Sequence, residues 1–228
     1  MTRTAPPGDA IAAVTHPNPY PWYAALRSGP ALVRDERLQL WIASRADVVR
    51  DLLTNDALRV RPIAEPVPAA IAGTPAGEVF GQLVRMNEGD THARHKPVLQ
   101  RALAGLDLAS AHEEAVGIAA RMSHAPLSGF CLAYPVRAAA HLLGFAEDAL
   151  PILSDWMREF VACLSPLSMP AQLDRASSAA TALMDRFERL ANTRPAPHGS
   201  LLAAVQAEAP EPNSRTLRES RRPAVANL

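Results

Sequence analysis

From Asp90 onward the chain is a succession of apolar stripes at helical spacing, each cut off by a glycine or a proline. DTHARHKPVLQRAL, DLASAHEEAVGIAARM, PVRAAAHLLG, LPILSDWMREFVACL, AQLDRASSAATALMDRFERL and SLLAAVQAEA repeat apolar residues every three or four positions, with breaks at Gly105, Pro126, Gly144, Pro166, Pro170 and Pro195. The pattern predicts a stack of helices, each burying one stripe on its neighbours. Proline makes up 21 of 228 residues, well above the usual share of about 5%, so many short elements with firm ends are expected. No fixed-period repeat is present.

The first ninety residues read differently. PNPYPWYAALRSG predicts a short helix, with Asn18 as cap, Pro19 in the first turn and Gly29 at the end. Leu38, Leu40 and Ile42 alternate after Leu32, Val33 and a polar Asp35–Glu36 break, which predicts a small hairpin. SRADVVRDLLTND predicts a helix on which Val48, Val49, Leu52 and Leu53 make one apolar stripe, with Ser44 three residues before Asp47 as its start. Pro62, Pro66, Pro68 and Pro75 mark a long loop, and Val79, Phe80, Leu83 and Val84 a further helix. Residues 1–15 are expected to be disordered. Residues 210–228, with Arg215, Arg218, Arg221 and Arg222 and little apolar periodicity, are expected to form an irregular basic tail. The fold class is mainly α with a small β-hairpin.

Charge and cysteine content narrow the function. Lys+Arg and Asp+Glu are 23 each, so a generally basic nucleic-acid binder is excluded as an expectation. Cys131 and Cys163 are too few for a disulfide framework and have no metal-ligand spacing, so both read as reduced apolar fillers. The N-terminus lacks the apolar core of a signal peptide, and no stretch approaches the ~20 apolar residues of a membrane span, so a cytoplasmic protein is expected.

One segment carries chemistry. In MNEGDTHARHKPVLQRAL, Gly89 breaks the chain and Asp90 is the expected cap of a helix on which His92 and Lys96 are four residues apart. Two donors near a helix start suit a carboxylate or a phosphate; the bland alternative is a solvated face. His95 lies three from His92, but no third metal ligand follows. AHEEAV begins like a zinc-protease helix, but Val116 stands where its second His is required. The glycines fit neither phosphate-cradling pattern, and no nucleophile elbow is present.

The order of these segments resembles the N-terminal half of a bacterial cytochrome P-450, a heme-thiolate monooxygenase. PYPWYAALRSGPALV is similar to that family's first helix and first strand, and LWIASRADVVRDLLTNDAL to its second strand and second helix. NEGDTHARHKPVLQRAL resembles its "PPEHTRLRRLVSRAF" helix, whose His, with the Arg four later, holds a heme propionate. By that match His92 and Lys96 are heme-binding residues. Lys in place of Arg keeps the charge but loses the planar fork, and Pro97 replaces a basic residue. FCLAYPVRAAAHLLGF resembles "YPLPVRVICELLG", and the next two helices the pair that covers the substrate pocket. The resemblance spans about residues 16–209, a partial P-450 domain. It implies heme as cofactor, a small organic substrate, a ferredoxin-type redox partner, and Leu83, Val84, Leu167 and Met169 as pocket contacts.

The resemblance stops near Pro210, before the oxygen-activating helix, the Glu-x-x-Arg helix and the Cys loop that supplies the axial thiolate. Neither Cys131 nor Cys163 matches that loop. The expectation is a truncated P-450, inactive alone, because the protein must hold and tune the cofactor and only its propionate end is addressed. Apolar stripes such as Leu99 with Leu103 and Phe160 with Leu164 are expected to face water and to drive self-association. The alternative is a non-catalytic helical interaction protein that uses this bare face.

Overall fold

The computed structural model describes residues 5–165, 167–193 and 199–208, and its contacts divide into two units between Arg59 and Val60. The expected break positions Pro166 and Pro195 and the basic tail lie outside the described residues.

In the first unit, Asp9 caps α1 (Ala10–Val14) by accepting the Ala12 N–H at 2.7 Å, so the stretch expected to be disordered contains a helix. Helix α2 (Tyr20–Ser28) ends at Gly29 as predicted, but Pro19 holds the cap position, and the Asn18 N–H instead donates to His16. Strands β1 (Leu32–Asp35) and β2 (Leu40–Ala43) pair antiparallel from Leu32↔Ala43 to Asp35↔Leu40. Leu38 is in the connecting turn rather than on the strand, because Asp35 accepts the N–H groups of Arg37 and Leu38 and bends the chain there. Helix α3 (Ala46–Leu53) begins after Arg45, not at a Ser44 cap. Arg45 reaches Asp47 at 2.5 Å, and this pair holds the Asp47 carboxyl below the usual carboxylate range.

In the second unit every regular element among the described residues is helical. A single-turn 3₁₀ segment (Ala69–Ile71) leads into α4 (Pro75–Gln82), and a second (Val84–Met86) follows it. Then come α5 (Gly89–Ala104), α6 (Leu108–Arg121), α7 (Leu127–Leu143), α8 (Leu150–Val161), α9 (Pro170–Asn192) and α10 (Leu201–Glu208). Helix α9 packs on α8 and α4, and α8 on α7. Ala176, Ala179, Ala180 and Leu183 form the buried stripe of α9, at the i, i+3, i+4, i+7 spacing of one helix face. Leu153, 1% exposed, and Phe160, 5% exposed, fill the same core from α8. Phe160 is therefore not bare, as the sequence led us to expect; Leu164, one turn later, is at the surface.

Two prolines lie inside helices. Pro97 lies within α5 and Pro135 within α7, which begins eight residues earlier than the sequence suggests. Phe130, Ala133 and Tyr134 pack on the core ahead of Pro135, and the Phe130 and Tyr134 rings stack at 4.9 Å. That burial offsets the roughly 3 kcal/mol cost of an interior proline. Helix α7 stops at Gly144, whose φ of +106° is the left-handed conformation glycine accepts, and the Phe145 N–H returns to the Ala140 carbonyl at 3.1 Å.

Candidate functional site

The segment entering α5 is held from several sides. The Asn87 amide donates to the carbonyls of Gly81 and Leu83, at 2.9 and 2.8 Å, which ties the end of α4 to the start of α5. The Glu88 carboxylate accepts the Val60 N–H at 3.1 Å. Gly89 follows at φ +61°, again the left-handed region, and turns the chain into the helix. The cap position belongs to Glu88, and Asp90 is in the first turn instead of capping it. An acidic side chain there still complements the positive helix end.

His92 and Lys96 are on this uninterrupted helix, one turn apart. Leu99 and Ala102 continue the His92 row into the core, so His92 flanks the buried stripe and is half-buried, while Lys96, further round, is exposed. Neither residue is engaged by a hydrogen bond or ion pair among the described residues. Such a pair offers donors and positive charge without a built-in carboxylate competitor. His95, on the buried flank, is held below its ordinary pKa by desolvation, with a lesser contribution from the Arg94 charge. Pro97 supplies no N–H to the Ala93 carbonyl, so the turn between His92 and Lys96 lacks one helical bond.

The four expected pocket contacts divide. Val84 is packed into the core and Leu83 half-buried against it, whereas Leu167 and Met169 are 58% and 64% exposed. Val84 is therefore a core residue rather than a free contact. Cys163 is buried, and burial raises its thiol pKa, the wrong direction for a thiolate ligand; Cys131 is exposed on α7. Among the described residues no three His, Cys, Asp or Glu side chains group to hold a metal ion. No described helix is long and apolar enough to cross a membrane. The chemistry of His92 and Lys96 suits an anionic group such as a carboxylate, whereas Cys163, its thiol pKa raised by burial, is unsuited to serve as a thiolate.

No family model matches the sequence, and no curated protein does. Solved structures match well. CalO2 superposes with a TM-score of 0.74 at 21% identity, over 99% of this chain and 57% of its own. P450BioI, solved in complex with an acyl carrier protein ligated to hexadec-9Z-enoic acid, gives 0.71 at 15% identity, over 92% and 55%. The fold is that of cytochrome P-450s. The chain spans a little over half the length of these two proteins.

Proposed function

We propose that the chain is the N-terminal half of a heme-thiolate monooxygenase scaffold, and that His92 and Lys96 clasp a heme propionate. The reading is carried by one observation: an unengaged His and Lys one turn apart at the start of α5, within a fold matched to P-450 structures. His92 donates a hydrogen bond from a half-buried ring, Lys96 adds the charge, and the N-terminal end of α5 adds a favourable dipole. Heme, when bound in this family, supplies oxygen activation through an axial thiolate, which neither cysteine of this chain is suited to provide. Under this reading the chain binds and orients through the propionate edge.

A small organic substrate and a ferredoxin-type electron donor belong to the complete scaffold under this reading. An acyl chain delivered by a carrier protein is one form of substrate consistent with the P450BioI complex. The fold likeness favours this reading over a non-catalytic interaction protein. Hemin titration tests it: a saturable Soret band is expected, weakened in both His92→Ala and Lys96→Ala. A band unchanged in both variants overturns the assignment.

A further inference from the structure

Helices α6, α7 and α8 enclose a cleft of about 350 Å³ that no part of the heme reading uses. Arg121 enters it from the last turn of α6, Arg137 from the middle of α7 and Arg158 from α8. We infer that this cleft is a binding site for a small phosphate-bearing ligand, a phosphomonoester, held by Arg121, Arg137 and Arg158.

Charge and donor count carry the inference. Arg121 pairs with Glu147 at 2.5 Å, and Arg158 pairs with Asp155. Arg137 has no carboxylate partner among the described residues; its Nε donates to the Ser154 hydroxyl at 3.3 Å. Three guanidinium groups thus face two carboxylates, leaving the cleft with a net positive charge. Each guanidinium has five N–H donors in a planar fork, and one carboxylate occupies at most two of them. Unused donors from three helices therefore remain around one space.

The arrangement is also fixed in place. Ser154 is only 4% exposed and donates its own proton to the Pro151 carbonyl at 2.7 Å. Its oxygen is left to accept from Arg137, which sets the plane of that half-buried guanidinium and frees its terminal nitrogens. Gly129, in the first turn of α7, also lines the cleft, and a Cβ built on it would meet nothing within 4 Å. The cleft is bordered there by exposed backbone at the positive end of a 17-residue helix whose cap residue, Pro126, brings no side-chain acceptor. A compact, multiply charged oxyanion uses all of these features, and a phosphate matches the paired donors of arginine more fully than a monocarboxylate does.

The test is calorimetric titration of the full chain with inorganic phosphate, at constant ionic strength, with acetate as the carboxylate comparison. Saturable phosphate binding is expected, with acetate weaker. Arg137→Gln should weaken phosphate at least about tenfold, the loss of a charged hydrogen bond. Arg158→Gln, which changes a largely exposed side chain, should weaken it as well and keeps the test valid if the Arg137 variant does not fold. Arg175→Gln, which breaks the separate Arg175–Glu159 pair, should leave it unchanged. Absence of saturable binding, or equal affinity in the wild-type, Arg158 and Arg175 proteins, overturns the proposal.

Discussion

At the scale of single residues, what the sequence discloses depends on whether the relevant partner is local. His92 and Lys96 are legible because helical geometry alone places residues four apart on adjoining parts of one face. Gly77 is not legible. A Cβ there would meet the Ile71 carbonyl oxygen at 2.1 Å, a backbone contact made by the turn that precedes α4. Gly77→Ala is therefore expected to destabilise the second unit by about 1–3 kcal/mol, read as a lower denaturant midpoint. The arginine cleft was equally hidden: its three arginines come from three helices and share no motif.

His95 yields a pH prediction. Desolvation favours its neutral form in the folded chain, so its pKa is lower folded than unfolded. The unfolded chain then binds more protons, and stability rises with pH. The contribution is whole above the ordinary histidine value near 6.5 and is lost as pH falls below it. Melting temperature should drop from about pH 7.5 to pH 5.5 less steeply in His95→Gln than in the wild type. Parallel pH profiles would count against this origin.

At the scale of elements, helix existence followed from periodicity, whereas helix ends did not. Gly29, Gly105 and Gly144 stop their helices where expected, because termination by glycine is a property of the local chain. The starts at Asn18, Ser44 and Asp90 were misplaced, since each cap competes with neighbours: Arg45 with Asp47, and Glu88 with the Val60 amide. Pro135 misled for a different reason, because aromatic packing ahead of it carries α7 through a residue that otherwise favours a first turn. Thr74 is a cap that did form. Its hydroxyl oxygen accepts the Gly77 N–H at 3.2 Å, and its O–H donates to the Ile71 carbonyl at 2.7 Å. Thr74→Ala should cost about 1 kcal/mol, with Thr74→Ser retaining most of the stability. Equal losses in both variants would show that the methyl packing, not the cap, matters.

At the scale of the whole molecule, the mainly α fold with one hairpin was legible, and the division at Arg59–Val60 was not. A groove of about 280 Å³ remains open among α7, α8 and α9, with Val136, Leu143, Leu153, Met157 and Phe187 along it. Leu103, Leu132 and Leu164 are also at the surface. Apolar surface of this kind drives association. The chain is expected to enhance the fluorescence of an apolar dye and to sediment with a concentration-dependent mass. A dye-silent monomer at all concentrations would contradict that expectation.

The clasp can be separated from general apolar adsorption of a porphyrin by removing only the charge it grips. Titrating the chain with hemin and with its dimethyl ester, in which both propionates are neutral, makes that separation. Clasping by His92 and Lys96 predicts tighter binding of the free acid, with the advantage abolished in the His92→Ala, Lys96→Ala double variant. Equal affinity for the acid and the ester in the wild-type chain would contradict it.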